Sequence, residues 1–513
     1  MNWEQYKALP IEEKYNETYY IIGIDIGNDS TGIAYYNLYE NAPEPIDPSG
    51  GYGKPSIPTV MQYITETKEW VFGEYAILNR GAGTEVTLQS LTLRLGQFDY
   101  MDIDGKPVSV AAILGLFIRE LLSSVRNINP RAEIVGIVAA VPAYLTQPAR
   151  EELKKAFQLA GYEKELIALV PDRECVLAHH FQGTAKNEKV LLLDYGSQEV
   201  RGGVYAADSG GVKSLSSIFD GSIGMGMIDR DIYSLFESYY YAAHGHSTEA
   251  LPPQFDEQLS AFQYQHKDIL FQKNIRTKPA KLYFNFVYPP FQQTVTHEDI
   301  EALVGPYRRR FQGFIQSAMD KTISGTPAIR PRDISTVVCV GGGFEMLWAR
   351  EAVAGMFSPP QVRVYKNAKL VTAEGAALVA AIMLGAVKGH NIHVEDNHQL
   401  AVDIGLRTGD AFLPLAQMGA FWWQKQQPVL VLVNSPVDGE LRLSLAERGA
   451  TGEARELSAF NLTGLPARPK GTTRLKFGVD FKSSTDMTIS VEDLGFGELF
   501  PKTNYVRELS AQI

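Results

Sequence analysis

The chain has 513 residues, of which 45% are hydrophobic and 21% charged, with a formal net charge of −11 and two cysteines. This length and apolar share give two to four domains with real cores, and two cysteines exclude a disulfide-built scaffold. The acidic balance, with no basic stretch beyond Arg308-Arg309-Arg310, argues against nucleic acid as the main partner. The Arg triplet reads as a solvated helix face. Every long apolar run is broken by Gly or charge short of the roughly 18 residues that a membrane-spanning helix needs, so no membrane partner is expected. The opening MNWEQYKALPIEEKYNETYY lacks the basic and apolar regions of a signal peptide. Cys175 and Cys339 lie in apolar runs and read as core thiols, which fits a cytoplasmic location.

In chain order, residues 1–18 read as an N-terminal extension. Ile21 to Gly32, IIGIDIGNDSTG, follows: an apolar run, then Asp25, one spacer and Gly27. The run reads as a buried strand. The Gly permits a tight turn that brings backbone N–H groups close to a phosphate. An Asp at the strand end suits Mg²⁺, which takes one or two carboxylates plus water. A helix is expected from about Gln147 to Leu159, with Thr146 as N-cap and Gly161 as stop. Val190 to Gly203, VLLLDYGSQEVRGG, then repeats the first pattern with Asp194 and Gly196. Two such hairpins facing each other would clamp a nucleotide polyphosphate. Thr336 to Met346, TVVCVGGGFEM, is a third buried strand running into Gly341-Gly342-Gly343, with helical spacing from Leu347 to Phe357. A strand, a Gly-rich turn and a helix start make an approach for phosphate or ribose. Ala373 to Ala386, AEGAALVAAIMLGA, reads as a helix packed tightly on a sheet. Residues 19–386 thus alternate strand and helix. Residues 387–399 read as a polar linker, and residues 400–513 as short alternating runs forming an antiparallel β-sandwich.

These residues resemble a family. Their order and spacing resemble the actin-type ATPases, and specifically the seventy-kilodalton heat-shock (DnaK-type) chaperones. Val138 to Tyr144 (VAAVPAY), Val170 to Ala178 (VPDRECVLA), Lys54 to Val60 (KPSIPTV) and Trp70 to Ala76 (WVFGEYA) resemble short runs of that family. Phe460 to Gly471, FNLTGLPARPKG, resembles a signature of its peptide-binding domain. That run narrows the resemblance from any actin-fold ATPase to the chaperones. The implied architecture is an α/β actin-like ATPase fold, with two lobes and a duplicated ribonuclease-H-like core, followed by a C-terminal antiparallel β-sandwich. The family's helical lid looks absent here, since the sequence stops at Ile513. ATP or ADP with Mg²⁺ is implied as cofactor. Unfolded or extended polypeptide and co-chaperones are implied as partners.

The resemblance carries over to the site residue by residue. Asp25, Gly27, Asn28 and Asp29 fall on the first phosphate hairpin, and Gly196 and Ser197 on the second. Gly341, Gly342 and Gly343 fall on the third turn, with Asp25 and Asp194 at the metal. Asp172 stands at the family's catalytic-region Glu, one methylene shorter. Gln272 and Lys273, in DILFQKNIR, fall near the adenine-contacting helix. Ala411 and Phe412 fall at the peptide cleft, with Phe421-Trp422-Trp423 nearby. The departures are as telling. Asn28 and Asp29 replace two threonines. Ser197 and Gln198 replace two glycines, and Glu199 replaces a phosphate-contacting Thr. Arg201 replaces the second Asp of the hairpin, where it would contact phosphate or bridge to Glu199 or a nearby acid. Thr92 stands at the family's lysine, whose loss weakens stabilisation of the transferred phosphoryl group. Glu345 replaces an adenosine-stacking Arg. The linker holds Val387, Ile392 and Val394 but no leucine. His244, His246, His390, His393 and His398 read as solvated loop residues. A sugar-kinase or filament function is disfavoured, because those relatives carry no β domain. The expectation is a chaperone-like protein that binds ATP or ADP between two lobes with slow hydrolysis. Its alternative is a nucleotide-sensing pseudo-ATPase or scaffold without turnover.

Overall fold

The computed structural model describes the chain except residues 50–55, 80–84, 98–99, 143–144, 146, 185, 209–210, 246–250, 252–253, 271–276, 321–328, 390–391, 396–399, 401, 409–410, 419, 421–425, 450–453, 482–485 and 513. It divides into two compact units, Met1–Glu395 and Asp396–Ile513. Among the described residues no helix is long and apolar enough to cross a membrane.

The first unit holds two large sheets built on one plan, beside three small ones among the described residues. In the first, the hairpin Tyr19–Ile26 and Ser30–Asn37 is extended in parallel by Glu133–Val141 and then Leu166–Pro171. In the second, the hairpin Glu188–Tyr195 and Val200–Asp208 is extended in parallel by Thr336–Val340 and then Val362–Val364. Central strands with parallel neighbours are covered on both faces and therefore read as continuous apolar runs. Ile21, Ile22 and Ile24 are buried accordingly, as are Val190 to Leu193. Two hairpin-led mixed sheets with helices are compatible with the actin-like ATPase fold.

One helix, Val371–Met383, packs on both strands of the first hairpin and on the helix Asp172–Phe181. Its small residues allow contacts that no larger side chain would permit. A Cβ on Gly23 would stand 2.1 Å from Ala377 N, and one on Gly375 would stand 1.9 Å from Cys175 O. The first strand and the helix Asp172–Phe181 therefore both pack backbone-close on it. The helix after the first sheet runs Gln147–Ala160, and Gly161 past its end has φ +89°. Thr146, its expected cap, lies outside the described residues. The helix after the triple glycine is Leu347–Ala354, preceded by a 3₁₀ turn over Gly342–Glu345. Cys175 and Cys339 are buried and unbridged. Arg308 on the helix His297–Asp320 pairs with Glu301 at 2.9 Å, while Arg309 and Arg310 face solvent.

The N-terminal residues are part of this unit. Trp3–Lys7 and Ile11–Lys14 are short helices. Tyr6 is fully buried, and its hydroxyl donates to Lys14 O at 3.2 Å. Lys14 Nζ donates to Leu384 O at 2.8 Å and to Gly385 O at 3.3 Å. These are orphan carbonyls at the end of the Val371–Met383 helix, where a cation is favourable. From the segment read as linker, Val394–Glu395 pairs in parallel with Val212 and Lys213 at the sheet edge. Val394 N donates to Glu174 Oε1 at 3.3 Å.

The second unit contains two four-stranded antiparallel sheets. One is ordered Ala411–Ala416, Asp403–Thr408, Glu440–Arg448, Ala454–Thr463. The other is ordered Val429–Val433, Thr473–Phe481, Asp486–Asp493, Val506–Gln512. Leu406, Leu445, Leu475, Phe477, Ile489 and Val491, drawn from both sheets, share one buried cluster. In the FNLTGLPARPKG run, Arg468 makes a buried bidentate pair with Asp493 at 2.7 and 2.9 Å.

Candidate functional site

The site grows from the ends of the hairpin strands in the first unit. Asp25 sits near the end of its strand, between Gly32 on one neighbour and Ala140 on the other. Gly27 N donates to Ser30 O at 3.2 Å, closing the turn. Thr92 Oγ1 donates to Asn28 Oδ1 in a short hydrogen bond. The position read as the family's lysine therefore does reach this turn, but as a neutral hydroxyl. Asp29 is exposed, and its carbonyl accepts from Thr59 N at 2.9 Å.

The second hairpin is tied down from below. Gly196 O and Ser197 O accept from Met225 N at 3.0 Å and Gly226 N at 2.7 Å, at the start of the helix Met225–His244. Asp194 pairs across the hairpin with Arg201. The Arg201 guanidinium gathers three carboxylates. It makes a short bond to Asp172 Oδ2, meets Asp194 Oδ2 at 3.3 Å and meets Glu199 Oε1 at 3.3 Å. Of the two roles open to Arg201, the acid bridge is the one formed, and it extends beyond Glu199. Asp172 opens the helix that packs on Gly375, so its placement depends on that close helix contact.

The carboxylates feel one another. Burial, with repulsion from Asp194 and Asp172, raises the Asp25 carboxyl to about 7 against the pull of Arg201. Burial raises Asp194 to about 6; Arg201 opposes this while Asp172 and Glu199 add to it. Asp25 comes from the first hairpin and Asp194 from the second, so the two hairpins approach each other here. Carboxylates perturbed in this way cluster at functional sites.

The third element completes the arrangement. Gly341 has φ +88°, a left-handed conformation that suits glycine, and its missing Cβ would stand 2.5 Å from Asp194 Oδ1. Gly343 passes the Tyr195 ring, where a Cβ would approach to 2.3 Å. Both glycines therefore lie against the second hairpin, with Gly342 beneath the Lys369 stem. Lys369 Nζ pairs with Glu345 at 3.6 Å. Lys369 is a cation that sequence reasoning missed; nothing in VYKNAKLV marks it. Arg150, also missed, lies near Asp172 and Glu174, which act to raise its pKa, although burial wins and lowers it.

Gln272 and Lys273 lie outside the described residues, as do Phe421-Trp422-Trp423 and the histidines at 246, 390 and 398. His244 bonds the carbonyls of Tyr240 and Pro289, and His393 pairs with Glu174 at 3.3 Å. In the second unit Ala411 is exposed and Phe412 half-buried. The Phe412 ring lies under the Arg448 guanidinium, 4.3 Å from its centroid, and over Gly405. Phe412 stands outside the buried cluster of that unit.

Mg²⁺ requires near-octahedral oxygen ligands that are free to turn inward. Among the described residues no three His, Cys, Asp or Glu side chains are grouped to hold a metal ion. Asp172 and Asp194 are both engaged by Arg201. As they stand, Asp25 and Asp194 do not fit a divalent ion.

The sequence model described as Hsp70 protein matches residues 97–498. The chain is 22% identical over 494 residues to the chaperone protein DnaK of Thermosipho africanus strain TCF52B, covering 94% of this chain and 79% of that protein. It is 23% identical over 493 residues to the chaperone protein DnaK of Thermosipho melanesiensis, covering 93% and 79%. With the matched region spanning most of its length, the chain belongs to the Hsp70 family and is chaperone-like.

Proposed function

We propose that the chain binds ATP or ADP between the two lobes of its first unit, hydrolyses ATP slowly, and binds extended polypeptide through its second unit. The observation that carries the nucleotide reading is the meeting of Asp25, Asp172 and Asp194 beside Gly341, drawn from all three expected elements. The slow turnover follows from the acids. Asp172 and Asp194 are held by Arg201, and Thr92 supplies no charge. The same observation favours the second reading, a nucleotide sensor without turnover. Co-chaperones belong with the first reading, and a cytoplasmic location suits both.

Calorimetric titration of ATP and ADP into the whole chain and into Asp25→Ala tests the nucleotide reading. Binding that is lost in the variant supports it; no binding to the intact chain overturns it. Turnover at rates normal for the family, abolished by Asp194→Asn, would sink the slow-hydrolysis reading. For the peptide reading, Phe412→Ala should weaken binding of an extended apolar peptide by about tenfold, on the scale of one lost aromatic contact. Unchanged affinity would place the peptide elsewhere.

A further inference from the structure

The acids of the cleft are not left waiting for a cation; one is already among them. Arg201 sits on the strand directly opposite Asp194, so backbone pairing fixes its origin. The next residue, Gly202, packs against the Phe314 ring, where an added Cβ would come within 2.9 Å. From that fixed point the guanidinium meets Asp172, Asp194 and Glu199. A guanidinium is permanently charged and presents its donors in a rigid plane, which makes it a standing substitute for a bound cation. A divalent ion arriving at Asp194 would have to expel this charge or sit beside it against like-charge repulsion.

We propose that the Arg201 guanidinium occupies the place of the divalent cation between Asp172 and Asp194, so that this cleft takes its ligand without a divalent metal. The nucleotide half of this statement rests on the reading given above. The metal half does not.

Two measurements on the full chain test it. In the first, Mn²⁺ is titrated without nucleotide and followed by electron paramagnetic resonance. The intact chain should show no discrete site. Arg201→Ala and Arg201→Gln should each gain one, and Arg201→Ala combined with Asp194→Asn should lose it again. A site in the intact chain that Asp194→Asn removes would overturn the proposal. So would the absence of any gain in an Arg201 variant whose thermal melt matches the parent. In the second, ADP binding is compared in EDTA and in Mg²⁺. The intact chain should differ by less than about threefold, and the Arg201 variants should bind about tenfold or more tightly with Mg²⁺. Equal metal dependence in parent and variants would overturn the proposal. Failure of ADP to bind anywhere would break the nucleotide reading, while the Mn²⁺ titration would still decide the role of Arg201.

Discussion

Replacing Gly375 by Ala puts two effects of opposite sign on one atom. In a helix interior, Gly to Ala is favourable by about 1 kcal/mol. At Gly375, however, the new Cβ would stand 1.9 Å from Cys175 O, about 1.5 Å short of ordinary contact. The obstacle is backbone, so no rotamer relieves it, and the two helices must separate. Overpacking costs about 1–3 kcal/mol, and a backbone clash belongs at or beyond the top of that range; after the propensity gain, about 2 kcal/mol or more of destabilisation remains. The displaced helix carries Asp172 at its start, so the bond to Arg201 should loosen with it. Gly313 is the matched control. It lies in the helix His297–Asp320, and a Cβ there meets nothing within 4 Å. Gly313→Ala should therefore stabilise by about 1 kcal/mol. Thermal unfolding of parent and both variants reads the signs, and ADP calorimetry reads the consequence at the site. A Gly375→Ala protein as stable as the parent, or more so, would refute the close-packing argument.

Three further outcomes are expected. Arg468→Ala leaves Asp493 buried without its partner, which should cost the second unit about 3–5 kcal/mol in urea unfolding; replacing both residues by apolar ones should cost much less. Burial acts to raise the Asp493 carboxyl, but hydrogen bonds from Arg468, Gly495 and Thr503 outweigh it and hold it down to about 2. A depressed carboxyl stabilises the fold fully above the unfolded value of about 4. That contribution should fade as pH falls toward about 2, and a melt series across this window that is flat, or the same in Asp493→Asn, would contradict it. Lys14→Met removes the cation at the end of the Val371–Met383 helix and should lower stability by about 1–2 kcal/mol; an unchanged melting temperature would count against the tie.

The sequence made some of this legible and hid the rest. Asp25-x-Gly27 and Asp194-x-Gly196 were visible because a buried parallel strand writes its apolar run plainly and its turn needs glycine. The tight helix near residue 380 was visible through its small residues. Arg201 was visible as a departure, but not its grip on Asp172, because the ion pair spans 29 positions and joins a helix start to a strand end. Lys369 and Arg150 gave no signal, since an isolated basic residue reads alike on a surface and in a cleft. The N-terminal residues lay outside every motif. Their role came only from where Tyr6 and Lys14 land.

That landing ties the start of the first unit to its last long helix. Lys14 bonds a carbonyl 370 positions later, and the strand beginning at Tyr19 packs on the same late helix. During synthesis at about 5–20 residues per second, one face of this strand waits roughly 20–75 s for the helix that covers it. The face left waiting is that of Ile21, which shares a buried cluster with the late helix, whereas Ile22, Ile24 and Ile26 are buried among earlier residues such as Ile113, Leu114 and Phe117.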